Sequence, residues 1–192
     1  VADELPLDFV EQLLARALYQ HDAELVAAVC KLRAANKASV NLVADLISHG
    51  FASTHGHEAA VVLFQHFVDT LQFVPGQHAA QIHQVVLALV RQSKADHNAE
   101  DPYAEDEHLL ADLCGIDLGP EMVVMSDPQA VGHLMKEALR IGHCWALPVL
   151  LNMPGASMLE PAAVADLLEA CMHLPRKALP PVPVFTQLCS LN

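Results

Sequence analysis

Aromatic residues are scarce in this sequence. They make up only 5% of the 192 residues, and Trp145 is the only tryptophan. β-Sheets favour β-branched and aromatic side chains, whereas the abundant alanine and leucine residues favour helices. This composition argues against a sheet protein and predicts an all-α fold.

The chain also lacks long apolar runs and paired cysteines. No uninterrupted apolar run approaches the roughly 18–20 residues that cross a bilayer, so we expect no membrane partner. The five cysteines are odd in number and never form a CxxC pair, which disfavours a disulfide framework and a cysteine-based zinc site. We therefore expect a cytoplasmic or nuclear location. Because the sequence starts at Val1 without a signal-peptide pattern, we also expect it to be part of a longer protein.

Lysine and arginine are few. The formal net charge is −13, and residues 96–127 include ten acidic residues but no lysine or arginine. Such a field repels phosphate groups, which disfavours nucleic acid as a general partner of the surface.

Catalytic signatures are missing as well. The sequence contains no HExxH, GxSxG, GxGxxG or GxxxxGK[ST] motif. The carboxylates of residues 105–107 lie in a polar stretch, where we expect a solvated surface and no acid/base pair. Cys144 follows His143, but we expect a core cysteine beside a turn histidine. We therefore predict no catalytic residue, no cofactor and no enzymatic activity.

Histidine is unusually frequent, with twelve residues. His49, His55 and His57 cluster around one turn between helices, and the His55-x-His57 spacing is compatible with two imidazoles near one metal ion. Zinc needs three or four ligands in fixed geometry, and no cysteine or well-spaced carboxylate completes the set. The favoured interpretation is a polar turn; a metal site is the alternative.

Apolar residues account for 53% of the chain and recur with the 3.6-residue period of amphipathic helices. These segments form two predicted helical blocks, 1–93 and 107–192, joined by an acidic exposed connection at 94–106, together making one continuous domain. The predicted helical segments are 7–34 (a hairpin), 40–50, 57–73, 78–93, 107–115, 130–141, a segment after 142, 161–174 and 184–191.

Several polar residues are suited to capping these helices. Asp8 or Asp22 can accept hydrogen bonds from free N–H groups at a helix start. Asp127 or Ser126 precedes Pro128, a residue favoured at the first helical position. The proline-rich run at 179–183 is expected to be extended.

Two stretches, residues 46–64 followed by Pro75 and residues 134–151 followed by Pro161, share an order of helix, turn with a small residue, and second helix. Residues 13–29 repeat this order more weakly. The motifs Leu13-Leu14 and Leu46-Ile47 are separated by a period of about 33 residues. Hairpins of this size cannot bury their apolar faces alone and must stack on their neighbours. The segment that carries this pattern best contains Leu46-Ile47, Gly56, Glu58-Ala59, Leu63-Phe64 and Pro75.

This segment resembles one degenerate unit of the pentatricopeptide repeat family, and less closely the tetratricopeptide repeat family. The resemblance implies stacked helical hairpins in an α-solenoid, a right-handed superhelix of about four to five hairpins. It also implies an alternative function, in which the chain is an RNA-binding pentatricopeptide-like module of a larger protein.

The preferred function is a non-catalytic protein–protein interaction scaffold, which we also expect to form homodimers. Stacked hairpins create a groove from their first helices, and polar positions there are where partner contacts arise. The candidate partner-binding residues are Asn41, Asp45, Gln84 and Lys136.

Overall fold

A computed structural model of the chain describes residues 5–53, 55–70, 78–92, 104–113, 127–174 and 182–191. These residues form helices and their connections, with no strand among them, which confirms the predicted all-α class. The helices are α1 (Leu7–Tyr19), α2 (Ala23–Cys30), α3 (Val40–Ala52), α4 (His57–Asp69), α5 (Ala79–Gln92), α6 (Ala104–Leu113), α7 (Pro128–Ile141), α8 (Leu147–Leu151), α9 (Pro161–Met172) and α10 (Val182–Cys189).

The helices divide into two compact units, residues 1–88 and 89–192, and α5 belongs to both. None of the helices in the described ranges is long and apolar enough to cross a membrane. The acidic connection at 94–106 stays a prediction because residues 94–103 lie outside the described part of the chain. Its last three residues are the first turn of α6.

In the first unit, α1 and α2 form the predicted hairpin. The tight turn between them places His21 at φ 58°, the only positive φ of a non-glycine residue in the described ranges. The amide of His21 donates to Leu18 O (2.9 Å) and that of Asp22 to Ala17 O (3.1 Å), a Schellman ending that usually uses glycine. The Asp22 carboxylate then accepts a 2.9 Å hydrogen bond from the Leu25 amide and caps α2. Asp8, the other capping candidate, lies in the first turn of α1, after a Pro6 cap.

The second hairpin, α3 with α4, is held together by small residues. Gly50 is buried, and a Cβ added to it would lie 2.7 Å from Cβ of Ala60. The sequence predicted that α3 ends at residues 49–50, but the helix continues to Ala52. Gly50 lies inside the helix at the point where α3 meets α4. A residue without a side chain fits there because the two helices approach closely.

The two hairpins pack on each other through corresponding helices, first helix on first and second on second. In the first unit α1 packs against α2 and α3, α2 packs against α4, and α3 packs against α4. The core between them consists of apolar side chains; the largest fully buried ones are Leu14, Leu18, Ile47, Leu63 and Phe67.

In the second unit, α7 is the central helix. Its predicted cap is present: Asp127 accepts a 3.0 Å hydrogen bond from the Gln129 amide, and Pro128 is the first helical residue. The helix therefore begins two residues before the predicted bound at 130. It ends at Gly142, whose φ of 80° favours glycine. Around it pack α8, α9 and the 3₁₀ segment Pro154–Met158, while α10 packs on α8 and α9.

Some predicted boundaries differ from the structure. α6 begins at Ala104 and not at residue 107, and α10 begins at Val182 and not at residue 184. In α10 the second residue is Pro183, and proline is tolerated in a first turn because its missing N–H would be unpaired there anyway. Residues 179–181 of the predicted extended run lie outside the described part of the chain. Residues 182 and 183 belong to α10 and are helical.

Candidate docking surfaces

The first helices of the first unit run parallel. At one end Glu11 Oε1 of α1 accepts a 2.9 Å hydrogen bond from the Ser39 amide, just before α3. At the other end the rings of Tyr19 and His49 meet edge to face, with centroids 4.6 Å apart. The residue numbers increase in the same direction along both helices from the first pair to the second. α1 and α3 therefore lie side by side and parallel.

Two side-chain hydrogen bonds join α3 to α5, and these two helices are also parallel. Nε2 of Gln81 donates to Oδ1 of Asn41 (2.6 Å), and Nε2 of Gln84 donates to Oδ1 of Asp45 (2.8 Å). The structure therefore brings together three of the four residues predicted to bind a partner, Asn41, Asp45 and Gln84, and adds Gln81.

We call this surface the first-helix face. It consists of Tyr19 from α1, Asn41, Asp45 and His49 from α3, and Gln81 and Gln84 from α5. All of these side chains except Gln81, which is half-buried, are exposed, and Tyr19 has 58% of its surface accessible.

The first-helix face offers both donors and acceptors. An amide side chain carries two N–H donors and a carbonyl with two lone pairs, so one hydrogen bond leaves most of its capacity unused. Asn41 and Gln84 each use one such group in the bonds to α5 and α3. A row of amides matches the alternating N–H and C=O groups of an extended peptide, and Tyr19 supplies a large apolar contact next to it.

Lys136, the fourth predicted residue, lies elsewhere, in the second unit. Its ammonium group is 3.2 Å from a carboxylate oxygen of Asp166, which connects α7 to α9. The two residues border a groove of about 430 Å³ between these helices. The small and apolar lining residues of this α7–α9 groove are Pro128, Gly132, Met158, Leu159, Ala163 and Leu167; the polar ones are Gln129, His133, Lys136, Glu160 and Asp166.

The histidine-rich turn is a polar cluster. Ser53 Oγ lies 3.3 Å from Nε2 of His21 and accepts a 3.4 Å hydrogen bond from the His55 amide. The ring of His55 is 6.2 Å from that of His21, and the ring of His57 packs against Phe51. Within the described ranges no group of three or more histidine, cysteine, aspartate or glutamate residues is arranged to hold a metal ion.

A buried ion-pair cluster was not foreseen from the sequence. Glu137 on α7 is only 7% exposed, and its carboxylate contacts Nε of Arg91 (2.7 Å) and Nε of Arg140 (2.8 Å). The hydrogen bond from Arg140, followed by that from Arg91, outweighs the cost of burial and lowers the pKa of Glu137 to about 2. The Glu137–Arg140 spacing was visible as an i,i+3 pair, but the partner on α5 is 46 residues away.

Two cysteines of this unit, Cys144 and Cys171, are buried in the core, whereas Cys189 is exposed. Burial raises the pKa of the Cys144 thiol to about 11, so that it is protonated at neutral pH and a poor nucleophile. The neighbouring His143 hydrogen-bonds through Nδ1 to the carbonyl of Val90 (2.8 Å). This arrangement agrees with the expectation of a core cysteine beside a turn histidine.

Comparison of the chain with protein-family models, with curated proteins and with solved structures finds no significant match. The resemblance to pentatricopeptide and tetratricopeptide repeats thus stays a prediction.

Proposed function

We propose that this chain is a non-catalytic protein-binding module whose first-helix face holds an extended, basic segment of a partner protein. The observation that carries the proposal is the row of hydrogen-bonded amide and carboxylate side chains across α3 and α5, next to the exposed ring of Tyr19. Tyrosine is enriched at protein interfaces because it combines a large apolar area with a polar tip.

The packing of the first unit supports a repeat architecture of the α-solenoid type. First helices lie beside first helices (α1, α3) and second helices beside second helices (α2, α4), as stacked hairpins require. We extend this to a right-handed superhelix of about four to five hairpins, in which the first helices line the binding groove.

Charge points to the chemistry of the partner. The net charge is −13, and α3 carries Asp45 but no lysine or arginine. A segment rich in lysine or arginine is attracted to such a surface, whereas an RNA phosphate chain is repelled.

The proposal is tested by selecting peptides of about 12 residues from a random library and measuring their affinities by fluorescence anisotropy. We expect selected peptides to contain more lysine and arginine than aspartate and glutamate. Tyr19→Ala should weaken their binding by roughly tenfold, as truncation of a central aromatic contact usually does.

Phe9→Ala is the matched control. Phe9 is also an exposed aromatic residue of α1, with 47% of its surface accessible, but it lies roughly 80° around the helix from Tyr19. Equal losses in the two variants would show that the first-helix face is not the binding site. Selected peptides that are acidic would overturn the proposed basic partner.

The RNA alternative is tested in parallel by titrating homopolymer RNA at low and physiological salt. Micromolar or tighter binding that weakens steeply with salt reveals phosphate contacts and would overturn the protein-binding proposal. We expect no such binding.

A further inference from the structure

The α7–α9 groove is a second surface, separate from the first-helix face. Its floor is small and apolar: Gly132 on α7 faces Leu159, and a Cβ at residue 132 would lie 3.0 Å from Cδ2 of Leu159. The absence of a side chain at residue 132 therefore lets Leu159 pack closely against α7. A volume of about 430 Å³ lies within the roughly 300–1,000 Å³ range of ligand-binding clefts.

The groove follows the helices that form it. Its lining on α7 runs from Pro128 to Lys136, a length of roughly 12 Å or slightly more than two helical turns. Met158 stands at the mouth with 61% of its surface exposed. Methionine is unbranched and polarisable, and it adapts to apolar side chains of many shapes.

The charges at the rim are unbalanced. Lys136 is paired with Asp166, which leaves the carboxylate of Glu160 without an ion-pair partner in the described part of the chain. A cation placed over the groove near Glu160 gains a favourable interaction, while an anion is repelled.

We propose that the α7–α9 groove binds a short basic amphipathic helix. The apolar side chains of this helix, spaced i, i+3 or i+4, pack on Leu159 and Met158, and its lysine or arginine side chains face Glu160 and Asp166. An apolar groove between two helices with a polar rim is the form that suits recognition of an amphipathic helix.

The probe is a labelled peptide of about 14 residues made only of leucine and lysine, with leucines on one face of the helix. Its binding to the full chain is measured by fluorescence anisotropy at physiological salt. A peptide of the same composition in scrambled order and a leucine–glutamate peptide with the original pattern serve as comparisons. We expect the patterned basic peptide to bind at least about tenfold more tightly than either of them.

Met158→Lys places a cation at the mouth of the groove and should weaken this binding by at least about tenfold. Met172→Lys is the control, because Met172 is 73% exposed and lies outside the lining of the α7–α9 groove. This substitution changes the net charge by the same amount as Met158→Lys. Tyr19→Ala should leave the binding unchanged, which separates this proposal from that for the first-helix face.

Three results would overturn the proposal. The scrambled peptide binding as tightly as the patterned one means that only net charge is recognised. An equal loss in the Met172→Lys variant means that the groove is not the site. Equal affinity for the leucine–glutamate peptide means that the assigned charge preference is wrong.

Discussion

At the scale of single residues, Glu137 shows how burial and pairing act together. Its carboxylate is almost entirely buried, and a buried charge is costly unless it is paired and hydrogen-bonded. Arg91 and Arg140 provide both, and their own side chains reach solvent, with 47% and 65% of their surfaces exposed. Glu137 therefore connects the end of α5 to α7 through a polar contact at the edge of the second unit's core.

Glu137→Gln should lower the free energy of unfolding by about 2 kcal/mol at pH 7, the value typical of lost hydrogen bonds to a charged group. The folded-state pKa of about 2 lies below the usual pKa of glutamate, near 4.3. The ionised carboxylate of Glu137 therefore makes its full contribution to the free energy of unfolding when the pH is above that usual value. It is lost as the pH falls through about 4 towards the folded pKa of about 2.

Urea unfolding of both proteins at pH 7, 4 and 3 tests this expectation. Glu169→Gln is the control, since Glu169 is 68% exposed and lies 3.9 Å from His173. A difference between wild type and Glu137→Gln that grows as the pH falls would contradict the assigned direction.

At the scale of elements, helix starts and ends were predicted best where a local signal decides them. Asp22 and Asp127 cap their helices through their own side chains, and Gly142 ends α7 in the left-handed conformation. The end of α3 was predicted two residues too early. Gly50 resembles a stop signal in sequence, but the packing of α3 on α4 holds it inside the helix.

Gly50→Ala tests that packing. Alanine favours a helix over glycine by about 1 kcal/mol, but overpacking a tight contact costs roughly 1–3 kcal/mol. Because a Cβ at residue 50 would lie only 2.7 Å from Cβ of Ala60, we expect a net loss of stability.

A double-mutant cycle with Ala60→Gly identifies the cause of that loss. In the Ala60→Gly background the Gly50→Ala change should cost at least about 1 kcal/mol less, because the clashing methyl group is gone. Unfolding is followed by circular dichroism in urea. Equal costs in the two backgrounds would exclude contact with Ala60 as the cause.

At the scale of the whole molecule, charge is the dominant feature. With a net charge of −13 on 192 residues, the acidic groups repel one another in the compact state, which lowers its stability. The surfaces proposed for binding use this charge, since both are suited to cationic segments. The expected homodimer and the cytoplasmic or nuclear location stay predictions.

Raising the NaCl concentration from about 10 mM to about 200 mM should raise the Tm by roughly 2 °C or more, because salt screens the repulsion. The control is the same comparison near pH 5.2, the isoelectric point given by the sequence, where the net charge is close to zero. A Tm that falls with salt at neutral pH would indicate that attractive ion pairs, such as those of Glu137, dominate.

The sequence by itself determined the helical class, most helix positions and the caps at Asp22 and Asp127, because these depend on the spacing of apolar residues and on hydrogen bonds within a few residues. It also selected Asn41, Asp45 and Gln84 as exposed polar positions. Only the tertiary structure decided that these three meet on one face while Lys136 borders a separate groove. Contacts between residues 30 to 46 positions apart depend on how helices pack, and helical periodicity carries no record of which neighbour a polar side chain will meet.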